Sequence, residues 1–392
     1  MARIKQLWME VKTSFWFVPA LIIIFLIILA IAIIEVDQIL AASERTLPIT
    51  IVSFQQESIR TFLATIAGSM MTLAGVVFSI TILVLAQAAG QYSSRILRNF
   101  MKKKANQVIL GIFVGIFIFC LFLLTNLHPT DNALTAVSGF ILALVGVGFL
   151  IYYIHQTSIS IQASEILRSI YEETTEAIED IYPEQSREPP SEIPFLEGHH
   201  LVSKEVGFLQ GADWDALVKV GAEYGTQIEI KKRIGEFIAV EEELFRIGKD
   251  LSEDKNFENQ LRRALVIGKD RTAAQDVMYG VQQTVDIALR GISPGVNDLS
   301  TTQTAIDYLT SILMQLANRY YGSHVLYYQE KPILFRHTQT FSTFLEQSFE
   351  GICANAKTQP TIQKKINEAI EKIDRVTEDP KRKELLKSYF YT

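Results

Sequence analysis

Apolar residues gather into four stretches in the N-terminal part of the chain, Phe15–Ile34, Phe62–Ala89, Val108–Leu127 and Leu134–Ile154, and no comparable run follows. Each approaches the roughly 20 residues that a helix needs to cross about 30 Å of hydrocarbon. The pattern predicts a four-helix transmembrane domain over residues 1–155. Basic residues precede the first stretch, and Ala30 and Ala32 sit at the spacing of a signal-peptide cleavage site. The run outlasts a signal-peptide h-region and continues through Ile34, so it reads as an anchor.

Past residue 155 the apolar positions thin to helical spacing. Ile159, Ala163, Ile166, Ile170, Thr174 and Ile178 predict a connecting helix over 156–182. Pro183, Pro189, Pro190 and Pro194, mixed with Glu and Ser, predict a linker over 183–198. Between 199 and 250 the texture turns to short alternating runs punctuated by glycine, such as Gln227–Ile230 and Phe237–Val240, which predict a small β-rich unit with a short helix near Asp213–Val220. Its outline suggests the compact barrels that carry lipoyl or biotinyl groups, but no lysine sits in a Met-Lys-Met turn, leaving a structural or docking role. His199 and His200 are adjacent, cannot share a helix face, and read as a solvated linker pair.

The remainder, 251–392, carries helical spacing in Asn256–Ile267, Ala274–Gly291, Thr301–Tyr321, Phe335–Ala354, Ile362–Val376 and Pro380–Tyr389. The expected fold is therefore an α-helical multispan membrane domain joined to a cytosolic α+β domain, a small β-rich unit followed by helices.

Charge settles orientation and excludes one class of partner. The formal net charge is −6, and basic residues concentrate beside the spans instead of forming a stripe, which argues against nucleic acid. Arg3, Lys5 and Lys12 precede span one, and Arg95, Arg98, Lys102, Lys103 and Lys104 separate spans two and three. The segment Glu35–Thr61 has only Arg45 and Arg60, and the turn with His128, Pro129 and Asp131 has neither lysine nor arginine. Lysine and arginine in short loops resist translocation, so both termini are expected in the cytoplasm. Cys120 and Cys353 are far apart and lack ligand spacing, so neither a disulfide, a metal site nor a cofactor is expected.

On a helical wheel the second span collects Thr61, Thr65, Gly68, Ser69, Thr72, Gly75, Ser79, Ala86, Gln87 and Gly90 into one stripe, opposite Met71, Phe78, Ile82 and Leu85. Small residues let helices approach closely in lipid, so the stripe can be a packing seam. It can also line a pathway at the centre of a homo-oligomer, where hydroxyl and backbone oxygens replace part of an ion's water shell. Thr65, Ser69, Thr72, Gly75, Ser79 and Gln87 are the pore-lining candidates. No ionisable residue sits mid-span, which disfavours a proton-coupled carrier, and Glu35, Asp37 and His155 fall at span ends where the interface hydrates them.

A second constellation lies between Gly268 and Leu309. On the helix beginning near Ala274, Asp276, Tyr279, Gln283, Asp286 and Arg290 share one sector. Asp286 and Arg290 are spaced to pair, Gly291 suits a C-terminal cap, and Asp298 or Ser300 can cap the next helix. The polar face is either consumed by caps and internal ion pairs or forms a binding site, for a cation at Asp298 or a polar ligand read by Arg271 and Arg290. The ligand-binding candidates are Arg271, Asp276, Gln283, Asp286, Arg290, Asn297 and Asp298. No nucleophile elbow or phosphate loop appears, which ranks a membrane-associated enzyme last.

The run with Arg271, Thr272, Gln275, Asp276, Tyr279 and Gly280, then Asp286–Arg290 (DIALR), then Ser293–Asp298 (SPGVND), resembles the bacterial membrane-protein family catalogued as domain of unknown function 2254. Phe78–Leu97, at the exit of the second span, is similar to that family's segment as well. The family typically has proline where this chain has Leu299, and a Thr-Ala pair where it has Thr301 and Thr302. The resemblance implies a bacterial inner-membrane protein with four spans and a cytosolic domain, and brings no activity with it. Two functions are carried forward: an oligomeric ion-conducting channel with a cytosolic gating or assembly domain, and a membrane-tethered ligand sensor or scaffold.

Overall fold

A computed structural model describes residues 16–42, 56–91, 104–127, 133–160, 162–182, 184, 196–271, 275–321 and 323–390. They fall into two compact units divided between Gln162 and Ala163. Most of the basic residues that set the expected orientation, the turn at His128–Asp131, Pro183, Pro189, Pro190, Pro194 and Thr272 lie outside the described residues.

The first unit consists of α1 (Phe17–Ala42), α2 (Gln56–Gln91), α3 (Lys104–Thr125) and α4 (Ala133–Ser160). Each contains a stretch long and apolar enough to cross a membrane, within Phe17–Ile39, Glu57–Ala86, Ala105–Thr125 and Leu134–Ser158. These are the four spans expected from the hydrophobic pattern, shifted by a few residues at their ends. Helix α3 contacts all three others or their faces, and its Ile109, Phe113, Ile116, Phe119 and Cys120 are fully buried.

Glycine permits the close approaches that lipid-embedded helices depend on. A Cβ at Gly111 would lie 2.9 Å from Pro19 Cα of α1, and one at Gly139 of α4 would lie 2.7 Å from Leu63 Cδ2 of α2. Polar groups inside the bundle are paired. Tyr153 of α4 donates from its hydroxyl to the Val77 carbonyl of α2 at 3.0 Å and lies 3.1 Å from Thr81 Oγ1. Asp37, expected in the hydrated interface, is instead only 9% exposed and accepts from Thr135 N at 3.1 Å and Thr135 Oγ1 at 2.5 Å. The reason is positional: the start of α4 brings donors to the carboxylate and replaces its water.

The second unit begins with α5 (Ala163–Ile181), distinct from α4, where the sequence predicted one run from His155. There follow β1 (His199–Val202), β2 (Gly207–Ala212), α6 (Trp214–Glu223), β3 (Ile228–Ile230), β4 (Phe237–Ile238), β5 (Glu243–Ile247), α7 (Lys255–Arg263) and β6 (Leu265–Gly268). Next come α8 (Val277–Ile292), α9 (Leu299–Leu316), β7 (Ser323–Tyr328), β8 (Lys331–His337), α10 (Phe341–Asn355), α11 (Pro360–Val376) and α12 (Pro380–Lys387).

Five strands form one mixed sheet in the order β1-β5-β3-β8-β7, and β4-β2-β6 form a second. Strand β8 runs parallel to β3, pairing Ile228 with Leu334 and Ile230 with Arg336. Phe245, Phe257, Leu261, Ile228 and Leu334 sit in the shared core of the sheets and helices α6 and α7.

Three strands depart from the sequence reading. Residues 265–267 end a predicted helix but belong to β6, and 323–337 form a hairpin across a stretch left unassigned between two predicted helices and the first residues of the second, so α10 begins at Phe341 and not at Phe335. The hairpin turn is Gln329-Glu330, both at positive φ (47° and 65°), a conformation usually signalled by Asn or Gly. The histidine pair is likewise part of a strand: His200 Nδ1 lies 2.7 Å from Glu243 Oε1, and His199 Nε2 lies 3.4 Å from Glu258.

Helix α5 packs on α8 and α9. Ser311 Oγ and Gln315 Nε2 of α9 donate to the Tyr171 hydroxyl at 3.0 and 2.9 Å, and at Gly280 a Cβ would collide with Thr174 Oγ1. Tyr182, just past α5, is thereby held beside Tyr321 and Phe344.

Candidate functional site

In α2 the buried face carries Ile59, Leu63, Ile66, Ala67, Met70, Ala74 and Val77, all packed within the bundle. Thr65, Ser69, Thr72, Gly75 and Ser79 are exposed, on the side turned away from α3 and α4. Thr65, Thr72 and Ser79 donate to the carbonyls of Thr61, Gly68 and Gly75 at 2.7, 2.9 and 2.9 Å. Each hydroxyl is thus satisfied by its own helix, while its oxygen keeps a lone pair facing outward. A Cβ at Gly68 or Gly75 would meet nothing within 4 Å, as at Gly148 of α4 and unlike Gly111, Gly115, Gly139 and Gly146. The side chain of Gln87 lies outside the described residues.

The second constellation divides. Asp276 caps α8, accepting from Tyr279 N at 3.0 Å, and pairs with Arg271, whose Nη2 lies 2.7 Å away. Arg271 also donates to Gln282 Oε1 and lies over the Tyr279 ring, 5.3 Å from its centroid. Burial pushes the Asp276 carboxyl up, against the pull of Arg271 and of the capped amides. Gly235, at φ 88°, lets the backbone pass directly against this carboxylate.

Asp298 instead caps α9, accepting from Thr301 N at 3.0 Å and Thr301 Oγ1 at 2.6 Å, and the Thr301 hydroxyl and amide hold its carboxyl below its usual value. Asn297 beside it is exposed and adopts φ 48°. Helix α8 rises about 1.5 Å per residue, so its length sets the Asp276 and Asp298 caps about 20 Å or more apart. Asp286 and Arg290 are half-buried on the same helix, and Gln283 is 1% exposed with no hydrogen-bond partner on either side-chain atom. The candidates therefore do not converge on one ligand. Among the described residues no group of three His, Cys, Asp or Glu could hold a metal ion.

What converges is a cleft, open to solvent, between the end of α5, the 231–236 loop, the start of α8 and the end of β8. Asp276 and Gln275 line one wall, and Lys232, Arg233 and Arg336 bring positive charge. Arg233 Nε lies 2.5 Å from Glu236 and its Nη1 donates to Gln339 Oε1 at 3.2 Å, while Lys232 pairs with Glu242. His337, also on the wall, lies 3.0 Å from Glu229 Oε1. Burial would push the Glu229 carboxyl up, but hydrogen bonds with Lys231 and His337 outweigh it and hold the group below its ordinary range.

Arg336 differs from these neighbours. It is 9% exposed, its guanidinium lies 4.5 Å from the Trp214 ring centroid, and its Nε has no hydrogen-bond partner. Burial drives its pKa down. Sequence reasoning missed this residue. In Ile333-Leu334-Phe335-Arg336 a charge continues an apolar run, a signal that becomes legible only once the run is known to be a strand buried on both faces.

The family described as "Predicted membrane protein (DUF2254)" matches residues 12–372. An uncharacterized protein of Mycobacterium bovis and one of Mycobacterium tuberculosis are each 29% identical over 341 residues, covering 83% of this chain. The aligned region spans 65% of the length of each relative. No solved structure matches the chain.

Proposed function

The chain belongs to the DUF2254 family of predicted membrane proteins, and from that premise we propose that it assembles into a homo-oligomeric channel of the bacterial inner membrane. The second spans meet along their small, hydroxyl-bearing faces and line a hydrated path for ions. Both termini and the mixed α+β unit lie in the cytoplasm, where that unit gates or assembles the pore.

The observation that carries the reading is the contrast among glycines. Gly111, Gly115, Gly139 and Gly146 on α3 and α4 abut another helix, whereas Gly68 and Gly75 on α2, like Gly148 on α4, face open space, and the α2 pair shares its face with Thr65, Thr72 and Ser79. Thr65, Thr72 and Ser79 recur every seven residues, with Gly68 and Gly75 three positions after the first two. A sustained seven-residue repeat keeps one face against a partner, and small residues at the contact admit close backbones. Oxygen atoms on that face supply the ligands of a permeation path.

Current recordings from the purified protein in planar bilayers test the proposal. Discrete conductance that Ser69→Leu, Thr72→Leu or Ser79→Leu alters is the expected result. A silent wild type, or leucine variants that conduct identically, would contradict it.

A second reading, a membrane-tethered ligand sensor whose spans only anchor, draws its support from the cleft beside Arg336. Ligand-dependent thermal shifts without any conductance would favour it.

A further inference from the structure

Removing a guanidinium from water is costly unless a carboxylate or hydrogen-bond acceptors replace its hydration, and arginine cannot shed its proton to escape. The charged side chains on the cleft wall obey this rule with one exception. Lys232 has Glu242, Arg233 has Glu236, Asp276 has Arg271, and His337 has Glu229. Arg336 is more buried than Lys232, Arg233 or His337, yet no acidic group among the described residues lies within ion-pairing reach of it, and its Nε is buried and unbonded. Trp214 covers one face of the guanidinium, which offsets part of the cost but satisfies none of its N–H groups.

The surroundings favour negative charge. Helix α8 directs its N-terminus, the positive end of its dipole, at the same cleft through Val277 and Met278. Asp276, the one acid on the wall, is already neutralised by Arg271. Apolar side chains of Ile181, Ile234 and Met278 complete the lining. Small-molecule sites combine apolar walls with a few convergent polar groups, and this cleft has both.

We propose that this cleft binds a small organic anion, whose carboxylate or phosphate docks on the Arg336 guanidinium while its apolar body lies against Ile181, Ile234 and Met278. Carboxylate and phosphate oxygens both match the guanidinium fork in two parallel hydrogen bonds, a geometry lysine cannot reproduce. The site is independent of conduction, and gives the sensor reading a chemical class of ligand.

The chain has three tryptophans, so replacing Trp8 and Trp16 with phenylalanine leaves Trp214 as the only indole, in contact with Arg336. The full-length protein in detergent micelles is titrated with phenyl phosphate, benzoate and inorganic phosphate, following Trp214 fluorescence. Probe concentrations reach about 10 mM, past the millimolar range of weak small-ligand contacts. A saturable response to phenyl phosphate or benzoate that Arg336→Met abolishes is the expected result, and the tighter probe identifies the oxyanion. Inorganic phosphate is expected to bind more weakly because it lacks the apolar body.

Arg336→Lys keeps the charge without the fork and is expected to weaken binding about tenfold or more. This variant carries the test if the methionine variant does not fold. No saturable response to either organic probe in the wild type, or an affinity unchanged in Arg336→Lys, overturns the proposal. None of these readouts involves current, so failure here and failure of the channel reading are distinguishable.

Discussion

Gly111→Ala and Gly75→Leu, made separately, should damage different things. At Gly111 the new methyl would sit 2.9 Å from Pro19 Cα and 3.1 Å from Ile22 Cδ1, so the backbone of α1 must move. Overpacking of this kind costs about 1–3 kcal/mol, and alanine's better helix propensity returns about 1, for a net loss of up to roughly 2 kcal/mol. At Gly75, among the described residues, nothing beyond the local backbone of α2 lies within 4 Å of the added Cβ, so the lone bundle has no helix contact there to disturb. The leucine would instead push apart two copies meeting at this face, and losing about 1.4–2.8 kcal/mol there weakens association about ten- to a hundredfold. Unfolding in mixed micelles, followed by far-UV circular dichroism, reads the first effect. Single-molecule photobleaching in liposomes across a range of protein-to-lipid ratios reads the second. Gly111→Ala is expected to lower the unfolding midpoint, and Gly75→Leu to preserve it while shifting the subunit count toward one. A Gly75→Leu protein that unfolds as readily as Gly111→Ala, or that associates like the wild type, refutes the reasoning.

Three further outcomes follow from the second unit. Asp298→Ala removes both the side-chain cap of α9 and the Thr301 hydroxyl contact, and should cost about 1 kcal/mol, read as a lower melting temperature of the full-length protein. Arg271→Met strands a buried carboxylate and should cost about 3–5 kcal/mol, and adding Asp276→Asn, which can still cap α8, should recover most of it in a denaturant titration. Glu229 titrates below its ordinary value of 4.5 in the folded protein, so its contribution is complete above that value and fades as pH falls through the depressed folded pKa. Glu229→Gln should therefore flatten the acid limb of a stability–pH profile, and a limb as steep as that of the wild type would show that the contacts with Lys231 and His337 contribute nothing.

The membrane unit was legible because span length and hydrophobicity are set by the bilayer and leave a long, redundant signal. Which way the stripe of α2 points was not, since Met70 and Met71 are adjacent and equally apolar, yet only Met70 is buried. In the second unit the cap of α9 was readable at Asp298, because a carboxylate before a helix acts through the nearest few amides, whereas Asp276, read as lying within a helix that begins near Ala274, instead caps α8. The β7–β8 hairpin was hidden by a turn built from Gln329 and Glu330, whose positive φ angles are imposed by tertiary context and not by residue preference. Since the end of β8 was read as the start of a helix at Phe335, Arg336 was assigned to no site. The parallel pairing of β8 with β3, remote in sequence, is what brings Arg336 to the loop carrying Lys232 and Arg233.

The most direct test of the assembly is cysteine scanning along residues 62–86 in a background lacking Cys120 and Cys353, with oxidative cross-linking in native membranes and labelling by a water-soluble thiol reagent. Cross-linking and labelling that peak together at positions 65, 72 and 79 are predicted. A maximum on the Met71 and Phe78 side, or reactivity without a seven-residue period, would contradict an oligomer whose second spans enclose a hydrated path.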